Sequence, residues 1–290
     1  MASSPHSQQD TSLELYLEVA RETSATVLDR YSTSFSAAAA LLGRDVMTDI
    51  RSVYGLVRIA DEIVDTYRGP DAATVLDDLE AETYAAIARG FSSNLTVHAF
   101  AEVATRCGIG KAQIDPFFAS MRMDLTVTLH DEESFRRYIF GSAEVVGEMC
   151  LAAFLNRDAP APLPDVAAEG ARRLGAAYQK VNFLRDLGFD ADELGRAYVP
   201  TETPGVLTSA ELSFWLDDTA ADLTAARASL PLLPWRARLA VRATYELYRS
   251  LHTRIARVSP ADLHRRRIRV PNSTKGLLVL KAIAATAVGR

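Results

Sequence analysis

The fold is decided by residues 174–190, which read LGAAYQKVNFLRDLGFD. If residues 174–187 form a helix, apolar residues occur on nearly all of its sides, a pattern typical of a helix buried at the centre of a bundle. The stretch ends in two aspartates four residues apart, Asp186 and Asp190, with Arg185 beside the first. On a helix, this spacing places both carboxylates on one face. A buried carboxylate pair needs a cation nearby, so the sequence predicts a charged site at the end of a central helix.

A similar arrangement occurs earlier in the chain, where residues 61–65 read DEIVD. Asp61 and Asp65 form the first acidic cluster, with Arg58 one turn before it, and Asp186 and Asp190 form the second. A single pair of this kind is usually a solvated helix face, but two pairs in apolar helices, each with an arginine, indicate one shared site. Mg²⁺ is typically held by one or two carboxylates together with substrate phosphates. The clusters therefore predict a cavity for Mg²⁺ and a diphosphate, in which arginines neutralise the remaining charge.

Helical periodicity dominates the whole chain and predicts a single all-α domain. Strand patterns bounded by Asn-Gly or Asp-Gly turns do not occur, and Thr208 with Glu211 matches a capping box that opens a helix. The polar residues 1–10 are expected to form a disordered tail, and residues 11–290 one domain. The predicted helices span Leu13–Arg30, Asp45–Tyr67, Ala72–Arg89, Thr96–Cys107, Lys111–Leu125, Glu133–Leu155, Val166–Asp190, Ser209–Ser229, Ala237–Val258 and Thr274–Val288.

Composition argues against several classes of protein. The 290 residues carry a net charge of −5, which does not suggest a nucleic-acid binder. Cys107 and Cys150 give no disulfide framework and fit a reducing cytoplasm. No apolar run reaches the roughly 18 residues of a membrane span, and the nearest, Gly276–Val288, is interrupted by Lys281. The histidines lack ligand spacing, and neither a Gly-rich phosphate loop nor a Ser-His-Asp arrangement is present.

Several segments combine into a longer pattern. They are residues 31–35 (YSTSF), 54–65 (YGLVRIADEIVD), 121–125 (MRMDL), 138–147 (YIFGSAEVVG), 178–186 (YQKVNFLRD), 195–200 (GRAYVP) and 267–271 (RIRVP). In this order they resemble the squalene/phytoene synthase family of head-to-head prenyl transferases, most of all its bacterial phytoene synthases. The resemblance implies an all-α isoprenoid-synthase helical bundle with a central active-site cavity.

The resemblance also implies roles for individual residues. Asp61, Asp65, Asp186 and Asp190 would be catalytic and hold Mg²⁺ or Mn²⁺, with Asn182 as a further ligand. Tyr138 would line the reacting centre as a catalytic residue. The residues implied to bind substrate are Ser34 and Phe35, in a flap over the site, together with Arg58, Gln179, Asn182, Arg185, Tyr248 and Arg267.

The chain departs from the commonest family pattern at two positions. Glu62 replaces the second aspartate of the usual first motif, a change that keeps the charge. Phe189 stands where many members carry glutamate just before the last aspartate, which removes one carboxylate from the second cluster.

The implied reaction condenses two molecules of geranylgeranyl diphosphate to prephytoene diphosphate, which rearranges to phytoene. A dry apolar cavity would protect the carbocation from water, and the final proton would go to released diphosphate or to Tyr138. Because this reaction ends with proton loss, no NADPH is expected. Two alternatives stay open: a C30 enzyme that makes dehydrosqualene or squalene from farnesyl diphosphate, and an inactive homologue that binds prenyl chains or partner proteins.

Location is suggested by the chemistry of the product. A lipidic product fits a cytoplasmic enzyme in transient, peripheral contact with the inner face of the cell membrane. The basic run His264–Arg269 is either a solvated face or a contact for anionic lipid headgroups.

Overall fold

Helices account for the regular structure of the protein. The computed structural model describes residues 5–32, 40–203 and 205–288, and strand pairing within these ranges is limited to two isolated β-bridges. Three π-helical turns, at Ile63–Tyr67, Phe140–Glu144 and Asp190–Leu194, follow α2, α6 and α8. The α-helices are α1 Pro5–Tyr31, α2 Arg44–Glu62, α3 Ala72–Arg89, α4 Leu95–Cys107, α5 Lys111–Thr126, α6 Glu132–Ile139, α7 Val145–Leu155, α8 Asp165–Phe189, α9 Ser209–Ser229, α10 Trp235–Ile255, α11 Pro260–Arg265 and α12 Asn272–Val288.

The all-α prediction is confirmed, and most predicted helices are found with small shifts at their ends. The stretch Glu133–Leu155, predicted as one helix, is instead divided into α6 and α7 by the π-helical turn Phe140–Glu144. The capping box at the start of α9 forms as expected: the Glu211 backbone N–H donates to the Thr208 hydroxyl at 3.2 Å, and the Thr208 N–H donates to the Glu211 carboxylate at 2.7 Å. α10 ends at Ile255 rather than Val258, and the unpredicted α11 follows. Ser259 caps α11 by accepting a hydrogen bond from the Asp262 N–H at 3.2 Å.

The N-terminus differs from the expectation of a disordered tail. α1 starts at Pro5, so residues 5–10 are helical in the structure, whereas residues 1–4 lie outside the described residues. A proline is well tolerated in the first turn of a helix, because its missing N–H has no intrahelical partner there. The polar composition of this segment hides a helix that continues into the apolar part of α1.

α8 occupies the centre of the bundle, as its apolar sequence predicts. It packs against α7, α9, α10 and α11, and Val181 and Leu184 on it are almost completely buried. Gly147 allows α7 to approach α8 closely, because any side chain there would place its Cβ atom only 2.4 Å from the carbonyl oxygen of Ala171. One core cluster lies beneath the end of α2, and a second surrounds α8. Each acidic cluster is therefore carried on a helix end that is anchored in a packed core.

One helical stretch, Glu132–Leu155, is long and apolar enough to cross a membrane by length and composition. It consists of α6, a π-helical turn and α7, so the nearest candidate for a span is this stretch rather than Gly276–Val288. Within the fold, 56 % of its most apolar window is buried. This degree of burial is typical of a core helix in a bundle.

Gly188, between the two aspartates of the second cluster, is expected to be required for stability. A Cβ atom there would lie 1.8 Å from the carbonyl oxygen of His264 on α11. We expect Gly188→Ala to lower the free energy of unfolding by about 1–3 kcal/mol through overpacking, measured by urea denaturation. Gly276→Ala is the control, because nothing lies within 4 Å of a Cβ there, and the better helix propensity of alanine should stabilise it by up to about 1 kcal/mol. Equal effects of the two substitutions would contradict the packing argument.

Candidate active site

The first acidic cluster lies where α2 passes into a π-helical turn. α2 ends at Glu62, and the turn closes with a hydrogen bond of 3.2 Å from the Arg68 N–H to the Ile63 carbonyl oxygen. Arg68 adopts the left-handed region with a φ of 45°, which non-glycine residues seldom do and which is common at functional sites. Asp65 therefore sits on a widened turn and not on the regular helix face that its spacing predicts.

Arg58 supplies the positive charge of this cluster. Its guanidinium forms an ion pair with Glu62 and lies 3.9 Å from an Asp61 carboxylate oxygen. The same guanidinium packs over the ring of Tyr31, with 4.4 Å between its Cζ atom and the ring centroid, a cation–π contact that fixes its position. Glu62 is thus the main partner of Arg58, which leaves Asp61 more weakly held.

Two arginines surround the first carboxylate of the second cluster. Arg185 donates to both Asp186 oxygens at 2.9 and 2.5 Å. Arg267, from the segment between α11 and α12, adds contacts of 2.7 and 3.0 Å to the same carboxylate. Asp190 follows at the start of the third π-helical turn, which ends at Gly195 with a φ of 67°. Both acidic clusters therefore share one design, a helix end, a π-helical turn and a left-handed residue.

The two clusters meet. The Arg68 side chain donates to the Glu193 carbonyl oxygen at 3.3 Å, which ties the first π-helical turn to the third. Arg196 binds Asp65 at 2.6 Å through its guanidinium, while its backbone N–H donates to the Asp190 carbonyl oxygen at 2.9 Å. The negative charge of Asp65 also raises the pKa of Asp190. The prediction that the two clusters build one site is consistent with this geometry.

Arg196 is a site residue that the sequence reasoning missed. Its side chain is 5 % exposed, and besides Asp65 it contacts the Val64 carbonyl oxygen at 2.8 Å and the Tyr198 hydroxyl at 2.9 Å. The segment is held by a β-bridge in which the Ala197 N–H donates to the Thr128 carbonyl oxygen at 2.8 Å. The only indication of a buried arginine in the sequence is its position among mostly apolar residues in the segment 195–200 (GRAYVP). Because the segment is a loop, no periodicity shows that the arginine turns inward.

Asp124, which the sequence left without a role, joins Tyr138 to this network. The hydroxyls of Tyr138 and Tyr198 donate to its carboxylate at 2.8 and 2.7 Å, and Arg196 lies 3.4 Å away. Burial and the adjacent Asp124 charge raise the pKa of Tyr138 well above its usual value, so its hydroxyl stays protonated.

Aromatic rings line the space beside this network. Phe183 stacks on Tyr198, with 4.2 Å between the ring centroids. The ring centroids of Tyr138 and Tyr198 are 5.1 Å apart. A cavity of about 20 Å³ beside Asp190 leaves room for roughly one water molecule. Buried aromatic side chains thus border the charged centre on this side.

The remaining predicted residues on α8 share one face. Gln179 and Asn182 precede Asp186 by seven and four residues, which places all three on the same side of the helix. Asn182 accepts a long hydrogen bond of 3.4 Å from the Tyr248 hydroxyl. Tyr248 stacks on Tyr178 at 3.9 Å between centroids, and the buried Tyr178 hydroxyl has no hydrogen-bond partner among the described residues. Ser34 and Phe35, predicted to form the flap, lie outside the described residues.

Burial and mutual repulsion destabilise the ionised forms of two carboxylates of the site. Burial and the charge of Asp65 raise the pKa of Asp61 to about 8, against the opposing effect of Arg58. Burial and the charges of Asp186 and Asp65 raise the pKa of Asp190 to about 7. Near neutral pH these two carboxyl groups are therefore partly protonated in the absence of metal, and an added cation would stabilise their ionised forms.

These donors fit Mg²⁺ that is shared with a substrate phosphate. Within the described ranges, no group of three or more His, Cys, Asp or Glu side chains is arranged to hold a metal by itself. The site offers hard oxygen donors in pairs, Asp61 with Asp65 and Asp186 with Asp190. One or two carboxylates plus phosphate oxygens are the usual surroundings of Mg²⁺ in proteins, and a complete protein cage is not needed.

The raised pKa of Asp61 predicts that the stability of the metal-free protein depends on pH. An aspartate has a pKa of about 3.9 in the unfolded chain, so the fold loses stability as pH rises from there to about 8. Asp61→Asn removes this loss, and we expect it to raise the urea midpoint at pH 8 but not at pH 4. The exposed Asp77 on α3 provides the control Asp77→Asn. A stabilisation of Asp61→Asn that is equal at both pH values would contradict the assignment.

Comparisons with known proteins converge on one family. The squalene/phytoene synthase family matches residues 28–204. Phytoene synthase of Mycobacterium tuberculosis is 26 % identical over 268 residues, covering 85 % of this chain and 84 % of that protein. The 4,4'-diapophytoene synthase of Staphylococcus haemolyticus is 25 % identical over 174 residues, or 59 % of each chain. A crystal structure of a dehydrosqualene synthase in complex with ligand shares the fold, with a TM-score of 0.79 at 18 % identity over 94 % of this chain and 98 % of the other.

Proposed function

We propose, because the chain belongs to the squalene/phytoene synthase family, that it joins two molecules of geranylgeranyl diphosphate to form phytoene. The family consists of prenyltransferases that condense prenyl diphosphates head to head. The C20 substrate is favoured because the phytoene synthase of Mycobacterium tuberculosis matches 85 % of the chain, whereas the diapophytoene synthase matches 59 %.

The observation that carries the proposal is the meeting of two acidic clusters at an apolar, aromatic end of the bundle. Arg196 contacts both, through Asp65 and the Asp190 backbone. An anion such as diphosphate would be repelled by the carboxylates alone. Mg²⁺, when bound to Asp61, Asp65, Asp186 and Asp190 together with Asn182, supplies the charge that stabilises a departing diphosphate.

The arginines of the site have complementary tasks. Arg58, Arg185 and Arg267 stand beside the carboxylates, where they would contact the diphosphate oxygens and orient the leaving group. Tyr248 and Gln179 would extend this contact along α8. Charge developing on the diphosphate would meet fixed cations that do not need to reorganise, which is the most effective form of electrostatic catalysis.

The aromatic rings would serve the hydrocarbon part of the substrate. Tyr138, Phe183 and Tyr198 form a buried group next to the charged centre. Their faces attract positive charge, and their packing excludes the water that would quench an allylic cation. Ring formation then requires the double bond of the second substrate to attack this cation, with loss of a proton.

Between the two candidate bases, the geometry favours released diphosphate over Tyr138. The Tyr138 hydroxyl donates its proton to Asp124 at 2.8 Å, and its raised pKa keeps it protonated. A protonated phenol whose hydrogen is already donated cannot readily accept a second proton. Tyr138 is therefore assigned to the wall of the reacting centre, where Asp124 holds its orientation.

Product analysis tests the substrate. The enzyme with Mg²⁺ and geranylgeranyl diphosphate should yield a C40 triene, at a rate that added NADPH does not change. Side-by-side assays with farnesyl diphosphate should show a preference for the C20 substrate. A preference for farnesyl diphosphate above about tenfold, or ~1.4 kcal/mol in transition-state binding, would move the chain to the C30 alternative.

Two further results of the same assays would indicate a different function. A product that becomes reduced, or a rate that rises, when NADPH is added would indicate squalene-type chemistry. No diphosphate release from either substrate would favour the inactive prenyl-binding homologue. The complete set of four cluster aspartates argues against that last outcome.

A further inference from the structure

The C-terminal part of the chain differs in charge from the rest. Residues 249–290 contain ten lysines and arginines but one acidic residue, Asp262, whereas the whole chain has a net charge of −5. Much of this positive charge lines a groove of about 710 Å³ between α10, α12 and residues 266–269. We name it the arginine groove after six of its lining residues, Arg249, Arg254, Arg257, Arg266, Arg267 and Arg269.

Most of the positive charge in the arginine groove is not neutralised by the protein. Arg249 pairs with Glu246 at 2.8 Å, and Arg267 pairs with Asp186 at 2.7 Å. Within the described part of the chain, no carboxylate lies within 4.0 Å of the other four arginines of the groove. Guanidinium groups gathered in one groove repel one another, and a cleft lined by one sign of charge attracts the opposite sign. A ligand with several negative charges would therefore relieve the repulsion.

The arginine groove also has an apolar part. Val258 just after α10, Ile268 and Leu278 on α12 contribute to its lining, and each is partly buried against the core around α8. Guanidinium groups bind phosphate through paired N–H donors, whereas these apolar side chains would contact a hydrocarbon. The lining thus fits a ligand that combines a phosphate head group with a hydrocarbon chain.

Arg267 connects the arginine groove with the active site. It lines the groove, and its guanidinium binds the Asp186 carboxylate of the second acidic cluster through contacts of 2.7 and 3.0 Å. The Arg267 side chain is 51 % exposed, so a ligand in the groove can reach it. Such a ligand lies one side chain away from the carboxylates that are proposed to hold Mg²⁺.

We propose that the arginine groove is a second site for prenyl diphosphates, which holds the diphosphate group of a substrate outside the acidic clusters before the substrate enters the active site. This inference rests on the proposed function. The diphosphate group is common to the substrate and to the inorganic diphosphate that the reaction releases, and the apolar lining favours the substrate. Capture in such a groove raises the rate of association, because a cleft of opposite charge speeds the binding of a charged ligand by about 10–10³-fold.

Binding in the absence of metal tests the arginine groove with the full chain. In excess chelator the acidic clusters repel a diphosphate, so binding to the groove is observed by itself. The unmodified protein should bind geranyl diphosphate, a short and soluble prenyl diphosphate, weakly but with saturation in a phosphorus NMR titration. Arg254→Gln/Arg257→Gln should weaken this binding at least about tenfold, because two charge-assisted hydrogen-bond donors are lost. Arg137→Gln/Arg236→Gln, which removes two exposed arginines on α6 and at the start of α10, should leave it unchanged.

A ligand without the hydrocarbon chain distinguishes the two sources of the diphosphate group. Methyl diphosphate carries the same charge as geranyl diphosphate and should bind more weakly, since it lacks the apolar contacts. Leu278→Ala should reduce this difference and leave the binding of methyl diphosphate unchanged, which also shows that the groove is intact. Equal binding of the two ligands to the unmodified protein would overturn the assignment to substrate in favour of released diphosphate.

Steady-state kinetics with Mg²⁺ and geranylgeranyl diphosphate separate capture from chemistry. Arg254→Gln/Arg257→Gln should lower kcat/KM severalfold with kcat nearly unchanged, and the decline of kcat/KM with rising salt should become less steep. Metal-free binding of geranyl diphosphate that is insensitive to these substitutions would overturn the inference. Binding of anionic vesicles without any binding of geranyl diphosphate would overturn it as well. The metal-free titration does not depend on turnover, so a chain that binds but forms no product would contradict the proposed function alone.

Discussion

Removal of divalent metal with excess chelator is expected to abolish product formation, with a loss of at least about a hundredfold. The carboxylates of the two acidic clusters already raise one another's pKa values, so a diphosphate without metal would add charge that the site cannot neutralise. Diphosphate release from geranylgeranyl diphosphate measures the effect. Addition of Mg²⁺ or Mn²⁺ beyond the chelator should restore the rate.

The matched control for this experiment is chelator that has been saturated with Mg²⁺ beforehand. It should leave the rate unchanged, which excludes an effect of the chelator itself on the protein. Calorimetry with inorganic diphosphate provides a second measurement, because binding should be weak without metal and strong with it. Full turnover in excess free chelator would remove the basis for the assigned metal site.

Asp61→Asn and Asp186→Asn should each lower turnover by at least about a hundredfold, the usual loss for one electrostatic stabiliser. Each substitution removes one negative charge from a different cluster, near Arg58 in one case and near Arg185 and Arg267 in the other. Asp61→Asn should keep the folded state, because it relieves the repulsion from Asp65. Asp186→Asn loses the ion pairs with Arg185 and Arg267 and should stay folded with a lower urea midpoint. Steady-state kinetics and urea denaturation of the same preparations separate the two effects.

Asp77→Asn supplies the comparison for these two variants. Asp77 also pairs with an arginine, Arg122, but its side chain is 59 % exposed on α3, away from the acidic clusters. It should retain nearly full turnover. A near-normal rate in Asp61→Asn or Asp186→Asn would show that the corresponding cluster takes no part in the reaction.

The helices were predictable because their apolar residues recur at helical spacing. α3 and α9 begin and end at the predicted residues, and the capping box of Thr208 and Glu211 forms as the sequence indicates. The burial of α8 followed from apolar residues on all its sides. The short α11 was not predictable in this way, because six residues are too few to show a period.

The candidate site was predictable only where it lies on helices. Paired aspartates at helical spacing revealed both acidic clusters, but the π-helical turns that carry Asp65 and Asp190 leave no mark in a pattern of apolar residues. Arg196 lies in a loop, and its burial depends on contacts with Asp65 and Asp124 that are distant in the chain. Such contacts arise from tertiary packing, which a single sequence does not display.

The π-helical turns also make the site sensitive to chain length. A π-helical turn closes hydrogen bonds five residues back, whereas an α-helical turn closes them four residues back, so each turn accommodates one residue more than a regular helix would. Each residue rotates an α-helix by about 100°. Loss of a single residue within 63–67 or 190–194 would therefore tighten the turn and swing Arg68 or Arg196 away from its partner in the other cluster. Single-residue deletions, which are usually tolerated in surface loops, would here change the register of the whole charged centre.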